Sequence, residues 1–135
     1  MTARLALRVA GAALIALMAF APAGAGAKPA DPSPSRLLVT AREFSFTLSK
    51  PKLDAGRSII QLYNYGEDPH DLRIQRVGGP TVTDLGEVLP GQTGTLDTKL
   101  RRKSTYRLWC SIPGHADLGM TATLKTSAKR PPRSR

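Results

Sequence analysis

Beyond position 27 the chain holds one cysteine, one methionine and two histidines, and all four have side chains able to bind a soft metal ion. His70 stands alone upstream, while Cys110, His115 and Met120 follow as C-x4-H-x4-M. One thiolate, two imidazoles and a weak axial thioether are the donors of a trigonal copper site suited to one-electron exchange. Singly, each has a plainer role: His70 as a turn residue after Asp68-Pro69, Met120 as core filler, Cys110 as a small buried apolar side chain. Jointly, those roles would need every such residue beyond position 27 to fall into one ligand pattern by chance. Zinc competes for the same donors, but the thioether argues for copper.

The elements that must position these residues begin after a leader. Arg4 and Arg8 flank an apolar run from Val9 to Phe20, and Ala25-Gly26-Ala27 offers small residues for cleavage, so residues 1–27 read as a signal peptide. The rival reading, a retained anchor, is disfavoured because the run has 12 residues, against roughly 20 needed to span a bilayer. Export to the periplasm, the outer surface or the medium is therefore expected. In an oxidising compartment cysteines usually pair, and a single cysteine is better explained as a metal ligand. Without Arg4 and Arg8, 18 basic residues face 10 acidic ones, a net charge of +8.

Residues 28–36 are expected to form a Pro-rich leader, 37–126 one folded domain and 127–135 a basic tail too polar to pack. Within the domain the hydrophobic period is two, and no stretch makes an amphipathic helix. Strands are expected at Leu37 to Leu48, Arg57 to Tyr65, Asp71 to Val77, Thr93 to Lys99, Thr105 to Cys110 and Met120 to Thr126. Turn residues such as Gly78-Gly79-Pro80 and Leu89-Pro90-Gly91 separate them, which predicts an all-β sandwich or barrel. Cys110 then closes one strand, Met120 opens the next, His115 lies in the loop between them, and His70 arrives from a distant segment. Phe44, Phe46, Tyr63, Tyr65 and Trp109 read as packing residues, with Trp109 on the face opposite Cys110.

Three segments resemble the cupredoxins, the small blue-copper proteins such as plastocyanin, azurin and rusticyanin. Asn64 to His70 is similar to their N-x-G-x-x-x-H motif, Leu89-Pro90-Gly91 to a turn before the strand leading to the copper loop, and Tyr106 to Met120 to their aromatic-C-x-x-P-G-H-x-x-x-G-M loop. The likeness spans roughly residues 37–125. It implies a Greek-key β-sandwich of about eight strands binding one type 1 copper ion through His70, Cys110, His115 and Met120. Two departures stand out. Asp71 follows the first ligand where asparagine is common, and a carboxylate there would lower the potential unless it is bonded away. We expect Asp71 to bond the Ser111 hydroxyl or a nearby backbone amide. The C-to-H spacing of four is closer to rusticyanin and azurin than to plastocyanin.

An electron carrier is thus expected, with a copper carrier or store as the alternative. Oxidases and nitrite reductases of this chemistry need further histidines, and a binuclear centre needs a second cysteine, so an enzyme is not expected. The apolar residues around His115 suggest a contact patch for a redox protein partner. The net charge points to an acidic cytochrome or oxidase domain, and the basic tail to contact with an anionic membrane surface. Nucleic acid is not expected as a partner, and the chain should be a monomer.

Overall fold

In the computed structural model, residues 32–128 are described; the segment read as a signal peptide, residues 28–31 of the expected leader and residues 129–135 of the expected basic tail lie outside them. The described residues form nine strands: β1 Ser35–Arg42, β2 Ser45–Leu48, β3 Lys52–Leu53, β4 Gly56–Asn64, β5 His70–Arg76, β6 Val82–Val88, β7 Thr93–Leu100, β8 Thr105–Trp109 and β9 Thr121–Thr126. They make two mixed sheets, ordered β2-β1-β4-β7 and β3-β9-β8-β5-β6, packed as a β-sandwich. Among these residues no helix is long and apolar enough to cross a membrane.

The period-two pattern selects the inner faces. Leu37, Val39 and Ala41 of β1 alternate inward against Ile60 and Leu62 of β4, and across the sandwich Ile74, Leu108 and Leu124 meet them. Burying each such aliphatic side chain contributes about 1.5–3 kcal/mol. The same parity carries Tyr106, Leu108 and Cys110 to the interior, and leaves Trp109 half-buried on the other face.

Three expectations about the elements need correction. The strand expected over 37–48 is a hairpin, because the chain reverses at Glu43-Phe44, where no glycine or proline marks a turn. β1 begins at Ser35, so two residues assigned to the leader are paired with β4. β6 was not expected at all: it is an edge strand interrupted by Gly86, whose amide donates to Asp84 Oδ1 (2.7 Å) in a left-handed turn (φ 82°).

At one end of the sandwich a single side chain ties three connections together. Asn64 Nδ2 donates to the carbonyls of Asp68 and Val88, each at 2.8 Å, and its Oδ1 accepts from the Gly66 amide at 2.9 Å. Its backbone pairs with Gly91 and Gln92 of the Pro-Gly turn. Asn64 is fully buried, so Asn64→Ala leaves two carbonyls and one amide without that partner. We expect a loss of about 2–4 kcal/mol in urea unfolding, larger than for an exposed control such as Gln92→Ala.

Candidate metal centre

His70 opens β5, on the inner end of the five-stranded sheet beside β8. Register pairs Arg73 with Trp109, which sets the start of β5 next to the end of β8 and so brings His70 toward Cys110. From Cys110 the chain makes a compact loop. His115 N donates to Ile112 O (3.1 Å), Leu118 N to Gly114 O (3.1 Å) and Gly119 N to Ala116 O (3.1 Å). The loop closes where Cys110 N donates to Met120 O (3.1 Å) and Met120 N to His115 O (3.0 Å). Gly114 has a left-handed backbone (φ 85°), which explains the glycine next to the histidine.

Three donor atoms converge. His70 Nδ1 lies 3.3 Å from His115 Nδ1, which lies 3.6 Å from Cys110 Sγ, and all three fall within 4.8 Å of one another. Metal–nitrogen and metal–sulfur bonds of about 2.0–2.3 Å separate such donors by roughly 3.5–4 Å, so one ion can reach all three. Both imidazoles aim their Nδ1 atoms at one point, an arrangement that a cation satisfies better than a shared proton does. His70, Cys110 and Met120 have no solvent exposure, while His115 is half-buried. Burial pushes the Cys110 thiol up, more than the nearby amides lower it. An ion would have to displace that proton on binding.

Two links outside the donor set hold them in place. The Asp71 carboxylate accepts from the Ser111 amide (Oδ1, 2.5 Å) and from the Ser111 hydroxyl (Oδ2), as expected. It joins the residue after one histidine to the residue after the cysteine. The second link was not legible in the sequence: the β1–β2 turn lies over the site. Glu43 Oε1 approaches His70 Nε2 at 3.3 Å without the alignment of a hydrogen bond, and it accepts the amides of Glu67 (2.6 Å) and Asp68 (2.9 Å). The Asp68 amide first, then Glu43's own amide, the Glu67 amide and His70 together hold the Glu43 carboxyl down at about 2. A Cβ on Gly66 would run into the Glu43 carboxylate, so a larger residue there would push that carboxylate from its place against the Glu67 and Asp68 amides. Phe44, expected as a core residue, packs its ring edge-on against His115 at 4.9 Å.

No family model and no curated protein matches the sequence. Solved structures do. Auracyanin B superposes with a TM-score of 0.59 at 18% identity, over 76% of this chain and 96% of that one. Auracyanin A of Chloroflexus aurantiacus, described as a blue copper protein, gives 0.54 at 18% identity over 70% and 100%. The chain has the cupredoxin fold. The same fold also forms part of a longer protein: a multicopper oxidase matches at 0.53 and 14% identity, over 74% of this chain but 45% of that one.

Within this cupredoxin fold the sequence-predicted residues His70, Cys110, His115 and Met120 stand at the same end of the sandwich. His70, Cys110 and His115 share one focus, and Met120 is hydrogen-bonded through its backbone to both loop ligands. Glu43 and Phe44 had no local signal, since their contacts cross more than twenty residues of sequence. A carboxylate that accepts the far ring N–H of a metal-bound histidine fixes its tautomer and raises its basicity. Glu43 Oε1 stands 3.3 Å from that nitrogen of His70, within reach of such a bond once the ring is held by an ion. Glu43→Ala is therefore expected to weaken metal binding by roughly 10–100-fold in a competitive titration with a chromogenic chelator, with Glu43→Gln intermediate.

Proposed function

We propose that the chain binds one copper ion through His70, Cys110, His115 and Met120 and carries single electrons between redox proteins outside the cytosol. The observation that carries this is the convergence of two Nδ1 atoms and a thiol sulfur within reach of one ion. When bound, copper would supply a one-electron couple between Cu(I) and Cu(II). The chain's contribution is to hold the donors still. Asp71–Ser111 locks the two ligand segments, Glu43 and Phe44 back the two imidazoles, and the buried cluster excludes water from the thiolate. Little then has to move between oxidation states.

His115 offers the route out. It is the partly exposed donor, and around it Ile112, Pro113 and Leu118 form an apolar rim, with Leu118 64% exposed. Beyond that rim stand exposed carboxylates, Glu67, Asp68 and Asp117 among them. The acidic redox partner suggested by net charge would be drawn first to other parts of the surface. A partner that docks by apolar contact with a basic or neutral rim fits this end better. The alternative of a copper carrier or store is disfavoured because handing metal on calls for exposed, exchangeable thioethers or imidazoles, whereas Met120 is fully buried.

Voltammetry of the copper-loaded chain tests the proposal. We expect one reversible one-electron wave at one copper per chain; copper release on reduction would favour the store. Asp71→Asn removes a carboxylate charge beside the site and is expected to raise the potential. The size should be on the order of 50 mV, about a tenfold change in a one-electron equilibrium. Leu118→Asp should slow electron self-exchange without moving the potential.

A further inference from the structure

The end of the sandwich remote from His115 is built from cations. Between β7 and β8 the turn presents Arg101, Arg102 and Lys103, all exposed. Their backbone is pinned from below. The Arg101 amide donates to the Tyr106 hydroxyl (2.7 Å), the Thr126 hydroxyl donates to the Arg101 carbonyl (2.6 Å), and the Lys103 amide donates to Ser127 O (3.4 Å). Arg76, Lys99 and Arg101 line a groove of about 280 Å³ between this turn and the β5–β6 hairpin. Nearby carboxylates are engaged: Asp54 Oδ1 accepts from the Ser127 hydroxyl (2.5 Å), and Asp97 Oδ2 meets Arg57 at 2.7 Å. Lys52 and Lys125 even face each other in register where β3 pairs with β9.

The same end exposes apolar side chains. At the tip of the β5–β6 hairpin Val77 is 61% exposed and Val82 43%, with Pro80 exposed between them. The tip is held by Gly79 N donating to Arg76 O (2.9 Å) and by Gln75 Nε2 donating to Gly79 O (2.9 Å). An acidic protein would require only the cations. Apolar side chains projecting beside a ring of cations suit a bilayer surface, where the first enter the headgroup boundary and the second meet anionic headgroups.

Chain direction agrees. β1 starts and β9 ends at this same end, since Ser35 pairs with Ser58 near the start of β4, Gly56 with Leu100, and Thr126 with Leu53.

We infer that this end is a membrane-contact face that takes anionic phospholipid headgroups between Arg76, Lys99 and the Arg101–Lys103 turn while the hairpin tip enters the interface. β5 runs from His70 to Arg76, so at about 3.3 Å per residue the ligand end sits roughly 20 Å away. Docked in this way, the chain presents His115 to the aqueous side. The inference does not depend on which metal the site binds.

Co-sedimentation of the full chain with vesicles tests it, using phosphatidylcholine alone and phosphatidylcholine mixed with phosphatidylglycerol. The mixed vesicles should bind at least about tenfold more tightly at low salt, with the excess fading as salt rises. Charge reversal by Arg101→Glu, Arg102→Glu and Lys103→Glu together should remove that excess. Val77→Ser with Val82→Ser should lower it about fivefold. The N-terminal segment is common to all these proteins and cancels in the comparison. Circular dichroism checks each fold, and Arg102→Gln with Lys103→Gln replaces the reversal if that unfolds. No excess in the parent, or an excess unchanged by charge removal, overturns the inference. An effect of charge with none from the valines also overturns it, and assigns the face to an acidic protein.

Discussion

The carboxylate of Asp71, held between the amide and the hydroxyl of Ser111, joins two segments forty residues apart at the point where their neighbours must meet. Sheet register alone brings β5 and β8 together, but Arg73–Trp109 is the last ladder pair on that side, and against β6 on the other side β5 shifts register between Asp71 and Arg73. Past that pair the strands no longer fix His70 relative to Cys110. The Asp71–Ser111 link takes over that task. Because the bonds are charge-assisted they are shorter and stronger than neutral ones, and they restrain both distance and rotation.

Around this link the interior changes character. Most of the sandwich is filled by aliphatic side chains, yet one end buries Asn64, His70 and Asp71. Polar groups are buried at a free-energy cost unless their bonds are made, and here nearly all are made. Asn64 serves two carbonyls and one amide, and Asp71 serves Ser111. His70 Nε2 is the exception, with the Glu43 carboxylate close but poorly aligned. A fully bonded polar cluster has few alternative arrangements. For electron transfer that is an advantage, since donors that cannot relax keep the geometry the same in both oxidation states.

Much of this was legible in the sequence because the donor residues are rare in the chain and three of them share one short loop. Strand positions followed from alternation, and the Asp71–Ser111 bond from the chemistry of an extra carboxylate beside a ligand. The reversal at Glu43-Phe44 carries only a faint signal, a slip of one residue in the alternation: inward positions are odd up to Ala41 and even from Phe44 to Leu48, with no glycine or proline between them. With the turn hidden, the contacts of Glu43 with His70 and of Phe44 with His115 were hidden too. β6 escaped because an edge strand with Gly86 and two acidic residues resembles a loop in composition. Net charge was readable, but its distribution was not. Register is what puts Arg76, Lys99 and Arg101 at one end and Glu67, Asp68 and Asp117 at the other.

The sandwich carries a buried donor cluster at one end and cations with an apolar hairpin tip at the other, so the proposed electron exchange and the inferred attachment would occupy opposite ends. Ligation of copper by the Cys110 sulfur is tested by the visible absorption spectrum after adding one equivalent of Cu(II). An intense thiolate-to-copper charge-transfer band is expected that bleaches with ascorbate, returns on reoxidation and is absent from Cys110→Ser. Folded protein that takes up Cu(II) without such a band would contradict it.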